Sequence, residues 1–201
     1  MQKTPQEFKR ENVKKLFQKI LKEEQLLFAP LNISVLENQE DKHTSVSFSF
    51  ELFNEAKEIV ELDCNANGFV DGLFTACYDY FCDSYNSLKN IRLLDYQVKP
   101  NMKKNKNNLG ADAKVEVSIV MDVQGHGISE FSSRSRSLLR SSFTSILRAF
   151  EFYINCEKAF HKTQTFIDDA QKRNRGDIIS SCTYDLTILT EVNNYVREPR
   201  N

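Results

Sequence analysis

Apolar residues near the start of the chain recur at helical spacing. Phe8, Val13, Leu16, Phe17, Ile20 and Leu21 form one stripe between Lys and Glu residues. In front of the stripe, Thr4-Pro5-Gln6-Glu7 supplies a capping hydroxyl, a proline suited to the first helical position and a glutamate that completes a capping box. The pattern predicts a surface helix ending near Glu24. From Leu31 the period becomes two. Ile33 and Val35 alternate with polar residues, and Val46, Phe48, Phe50 and Leu52 do so after the turn-like polar stretch 38–44. A third run over 57–64, with Ile59, Val60 and Leu62, is expected to pair beside them. The strands stop at Asn65-Ala66-Asn67-Gly68, after which Val70, Leu73, Phe74, Cys77, Phe81 and Leu88 return to helical spacing.

The same order then repeats. Leu94, Tyr96 and Val98 alternate, and Ala111, Ala113, Val115, Val117, Ile119 and Met121 mark a long strand. A turn at Gly125-His126-Gly127 leads to a short strand over 128–132, followed by a long helix carrying Leu139, Ser142, Ile146, Ala149, Phe150, Tyr153 and Phe160. Two βββα units in series, preceded by a helix, predict an α+β fold in which helices cover one face of antiparallel sheets to form a sandwich. The expected division is a helix or linker over 1–28, a domain over 29–160 made of repeats 29–90 and 91–160, and an extension over 161–201. Within that extension 161–176 reads as frayed helix or linker, and 178–189 as a last strand. The polar run 99–108 reads as a loop.

Composition changes this picture mainly by exclusion. A net charge of −1, from 27 basic and 28 acidic residues in 201, provides no overall field for nucleic acid or anionic membrane. No aromatic platform accompanies the lysines of 99–108. The apolar runs are far shorter than the roughly 20 residues of a membrane span, and the first residues lack a secretory pattern, so a cytoplasmic chain is expected. The cysteines at 64, 77, 82, 156 and 182 contain no CxxC pair and read as reduced, mostly buried thiols. No metal motif, P-loop, dinucleotide fingerprint or nucleophile triad is present, and no cofactor is expected.

Four segments carry a family resemblance. Asn67-Gly68-Phe69-Val70-Asp71-Gly72-Leu73-Phe74 resembles the "GPVDAL" turn that opens the first helix of the regulatory domain in 2-isopropylmalate and citramalate synthases. Leu93-Leu94-Asp95-Tyr96-Gln97-Val98 resembles the "L-x-D-Y-x-V" strand, and Gly110-Ala111-Asp112-Ala113-Lys114-Val115-Glu116-Val117 the "G-x-D-A-x-A-x-V" strand. Leu138-Leu139-Arg140-Ser141-Ser142 stands where "I-I-x-A-S" begins the second helix. The resemblance covers about 31–160 and implies a homodimer that binds leucine or isoleucine for feedback control, with a catalytic synthase subunit or domain as partner. Residue by residue it implies an effector site at Gly68, Val70, Asp71, Gly72, Ser135 and Ser142.

The chain departs from the pattern where Cys64 and Ala66 replace glycines, Phe69 replaces the proline, and the second turn reads Ser133-Arg134-Ser135-Arg136-Ser137. Such replacements narrow an effector pocket and leave open a dimerisation module that has lost its ligand. The family's TIM barrel needs about 250 residues and an H-x-H metal motif; His43, His126 and His161 do not supply one, so no catalysis is expected here. Three local readings stand beside these. Asp71 serves either an effector ammonium or the helix dipole. The Ser-Arg turn is either an anion site or a capping segment with Ser137 as N-cap. The stripe Tyr78, Phe81, Cys82 and Tyr85 is core or dimer packing.

Overall fold

A computed structural model describes residues 4–40, 42–54, 56–101 and 114–196. Helix α1 (Pro5–Leu21) opens on the expected capping box: Thr4 Oγ1 accepts from the Glu7 N–H at 3.2 Å, and Glu7 Oε2 accepts from the Thr4 N–H at 2.7 Å. Val13, Leu16, Phe17 and Leu21 form its buried face, while Phe8 stays exposed. A short 3-10 turn, Lys22–Glu24, follows.

Strands β1 (Leu27–Asn38), β2 (His43–Phe53) and β3 (Lys57–Ala66) form an antiparallel sheet in the order β1-β2-β3, and α2 (Phe69–Phe81) follows. After a second 3-10 turn, Asn86–Asn90, strands β4 (Ile91–Asn101), β5 (Lys114–Val123) and β6 (Gly127–Ser135) form a second antiparallel sheet, followed by α3 (Leu138–Lys172). The α+β fold of two βββα units behind an N-terminal helix is thus the architecture of the chain. The β5–β6 hairpin turns through Gly125 and Gly127, at φ of 82° and 81°, a left-handed conformation that glycine adopts without a steric penalty.

The first strands of both units contain a bulge, between Pro30 and Asn32 and between Leu93 and Asp95. Each leaves one leucine, Leu31 and Leu94, outside the register. An extra residue reverses the alternation of side chains. That is why Phe28 before the bulge and Ile33 and Val35 after it all pack on the core, which hides the period-two signal at the start of β1, and why Leu94 is exposed instead of sharing the inner face with Tyr96. Ala111, Ala113 and residues 102–108 of the expected loop lie outside the described residues, whereas 99–101 belong to β4.

The tail differs from expectation. Residues 161–172 continue α3, and 176–189 form helix α4 (Gly176–Leu189) in place of a strand. The Ile- and Thr-rich composition suggested a strand. However, Ser180, Thr183, Thr187 and Thr190 each donate to the carbonyl four residues earlier, and α4 packs on α3. Leu189 and Val192 join the same core as the sheets. Asn174, at φ 54°, turns the chain between the two helices.

α3 organises the core. Between Ser141 and Phe160 it is buried nearly all round, as befits a helix with neighbours on every side. Phe143 meets Phe48 of the first sheet at 5.1 Å, and Phe152 and Tyr153 meet Phe131 of the second at 5.6 and 5.8 Å. Asn155 fastens the α1–β1 connection, accepting from the Leu26 N–H at 2.8 Å and donating to the Leu26 carbonyl at 2.7 Å. Among the described residues no helix is long and apolar enough to cross a membrane.

Candidate functional site

The first turn of α2 is held tightly on its own sheet. A Cβ placed on Gly72 would lie 2.9 Å from Cys64 Sγ and 3.3 Å from both Ala66 Cβ and Val46 Cγ2. Gly72 is therefore a helix-to-sheet contact, and Cys64 and Ala66 fill the space beneath it. Gly68 caps the helix with extended backbone and nothing within 4 Å, so neither strain nor crowding demands a glycine there. Val70 is half-buried. Asp71 is exposed in the first turn, where a carboxylate favours the helix dipole. It lies near enough to Cys64 to add to the upward push that burial gives that thiol.

The serines of the second unit bond internally. Ser135 Oγ donates to the Ser137 carbonyl at 2.7 Å, accepts from the Ser137 N–H at 3.1 Å and meets Ser141 Oγ at 2.8 Å. Ser137 is the N-cap of α3, accepting from the Arg140 N–H. Arg134 pairs with Glu116 at 2.6 Å. The segment thus works as a cap with the hydroxyls of Ser135 and Ser137 engaged. Ser142 is fully buried; its hydroxyl donates to the Leu138 carbonyl at 2.8 Å, so the Tyr96 hydroxyl, also at 2.8 Å, is the donor to Ser142.

Tyr96 brings the two helix starts together. From the inner face of β4 its ring meets Phe69, the first residue of α2, edge-on at 6.2 Å, while its hydroxyl reaches the first turn of α3. Burial pushes its phenol pKa up, partly offset by Ser142. The sequence placed Tyr96 in a strand; its joining role depends on the bulge at Leu94, which sets its face. Of the expected site residues, Ser142 meets Tyr96 directly and Ser135 meets Ser141, while Val70, Asp71 and Gly72 follow Phe69 in the first turn of α2.

Sequence reasoning missed a second polar cluster beyond the C-terminal end of α2. Glu157 on α3 is buried, and its Oε2 accepts from the Ser87 N–H at 3.1 Å and the Ser87 hydroxyl at 2.7 Å. Its Oε1 lies 3.7 Å from His161 Nε2. Burial alone would raise the carboxyl pKa, but the bonds from His161 and Ser87 outweigh it and hold the group below its ordinary value. A signal existed in the i, i+4 spacing of Glu157 and His161, but the partner, Ser87, is 70 residues away. The Tyr78 stripe resolves similarly: α2 ends at Phe81, which is core, while Cys82 caps the helix and Tyr85 lies in the following turn.

None of the five cysteines forms a disulfide with another; Cys77 and Cys156 are buried and the others half-buried. No group of three or more metal-ligating side chains occurs among the described residues. The chain has an α+β fold with two βββα units in series; comparison with known proteins returns no matching family model and no matching curated protein.

Proposed function

We propose that this chain is a non-catalytic regulatory and dimerisation module of the 2-isopropylmalate and citramalate synthase type, sensing leucine or isoleucine for feedback control of their synthesis. The observation that carries the reading is the pair of βββα units whose helix starts meet through Tyr96. It is supported by the bulge repeated in the first strand of each unit and by the four sequence segments, whose described residues lie at the start of α2, in β4, in β5 and at the start of α3. In this reading an effector held beside the first turn of α2, near Val70 and Asp71, displaces Phe69 against Tyr96. The change passes through Ser142 into α3 and from there to the dimer partner. An effector can shift the module only by its difference in affinity between the two arrangements. Catalysis belongs to a synthase barrel in a partner subunit or domain.

A second reading, a dimerisation module that no longer binds an effector, is favoured by the filled space under Gly72 and by the engaged hydroxyls of Ser135 and Ser142. A thermal-shift scan with leucine, isoleucine, valine, phosphate and acetyl-CoA, combined with light scattering, separates the two. A true effector at 100 times its Kd adds about 2.7 kcal/mol, and Asp71→Ala weakens that gain. A dimer indifferent to every amino acid supports the second reading; stabilisation by phosphate alone supports an anion site at the Ser-Arg turn.

A further inference from the structure

The molecule has a cleft of about 550 Å³ that the resemblance does not assign. It opens between the end of α1, the turn after α2 and the outer half of α3. Leu21, Tyr85, Phe166 and Val196 give it apolar surface, and Phe166 and Val196 are exposed at 45% and 72%. The ammonium of Lys162 lies 6.0 Å from the Phe166 ring centroid and 2.6 Å from Glu24 Oε1. The two ends of this ion pair differ in setting: the Lys162 side chain is 23% exposed and that of Glu24 is 53% exposed.

We propose that the cleft binds a small organic carboxylate with an apolar body, and that Glu24 holds the place of the ligand's carboxylate on Lys162. Exposed ion pairs contribute little to stability because water screens them and two long side chains must be ordered. A ligand carboxylate therefore displaces Glu24 at small cost, and its body covers Phe166 and Val196, which gains the burial of apolar surface. An amine is not the ligand. The buried carboxylate in the cleft wall, Glu157, already has one oxygen bonded twice by Ser87 and the other facing His161. Glu24 is the more exposed end of its pair, so an amine placed on it gains less than a carboxylate placed on the more buried Lys162. Of the two lysines in the lining, Lys158 already donates to the Glu24 backbone carbonyl at 2.7 Å, which leaves Lys162 to meet a ligand, and one cation beside a partly apolar lining suits a monocarboxylate.

The test is calorimetric titration of the full chain with phenylacetate, phenylacetamide and phenethylamine. Phenylacetate binds, and the amide and amine do not. Glu24→Gln removes the internal competitor and tightens phenylacetate by a factor of about two to five, the scale of an exposed ion pair. Misfolding cannot mimic that gain. Lys162→Met and Phe166→Ala each abolish the heat, while Asp71→Ala leaves it unchanged, which keeps the outcome separate from any effector at the helix starts. Equal binding of acid and amide overturns the proposal, as does binding that survives Lys162→Met. So does the absence of binding to both the wild type and the Glu24→Gln variant.

Discussion

Replacing Glu157 by Gln keeps the shape of the side chain and removes its charge from a buried site. In the wild type two donors from Ser87 converge on Oε2, and His161 faces Oε1. The same serine is fixed from behind by Asn193, whose amide donates to the Ser87 carbonyl at 2.9 Å. The carboxylate therefore fastens the linker between α2 and β4 to α3. Hydrogen bonds to a charged group contribute about 1.5–3 kcal/mol each and neutral ones about 0.5–1.5. Neutralising the acceptor of two such bonds thus costs about 2 kcal/mol. The sign with pH follows from the lowered pKa of Glu157 in the folded chain: burial raises it, but His161 and Ser87 lower it further. The folded state holds that proton less tightly than the unfolded one, so the stabilisation is present above the ordinary glutamate range of about 4.3. It fades as pH falls through the lower folded value. Urea unfolding of wild type and Glu157→Gln, compared at neutral pH and stepwise into acid, should show a gap that narrows in acid. A gap that stays constant with pH, or a variant more stable than wild type at neutral pH, refutes the reasoning.

Three further substitutions probe the packing around α3 and the helix starts. Asn155→Ala strips both polar groups of Leu26 of their partner in a buried place and should cost about 2–4 kcal/mol by the same unfolding assay; a loss under about 1 kcal/mol would contradict the clamp. Gly72→Ala forces a Cβ against Cys64 Sγ at 2.9 Å, an overpacking cost of about 1–3 kcal/mol set against about 1 kcal/mol of helix propensity. Adding Cys64→Ala should recover part of the loss, and strict additivity of the two changes would show that the contact is not the cause. Tyr96→Phe removes the donor to Ser142 and should lower stability by about 1 kcal/mol; calorimetry finding no change would mean that the two helix starts are not joined there.

The order of elements was legible because period two and helical period alternate cleanly along the chain, and because Thr4 with Glu7 and Ser137 announce their helices. The bulges were not legible. One extra leucine at 31 and at 94 shifts the inner face, and no residue type at those positions signals it. α4 was misread because its isoleucines and threonines favour strands in isolation, whereas α3 offers them a helical partner. For the candidate site, the sequence located the turns but not their contacts. The resemblance implied Gly72 as an effector residue, and the sequence did not show that the sheet approaches it closely at Cys64, Ala66 and Val46. Tyr96 with Ser142, and Ser87 with Glu157, join residues 46 and 70 positions apart, which only the folded arrangement can pair.

The most direct test of the proposed regulatory role is an amide chemical-shift titration of the isotope-labelled full chain with leucine and with isoleucine. The account predicts saturable shifts from one of them, centred on Phe69, Val70, Asp71 and Gly72 and extending through Tyr96 to Ser141 and Ser142. Shifts confined to other parts of the molecule, or none at millimolar concentrations of either amino acid, would contradict it.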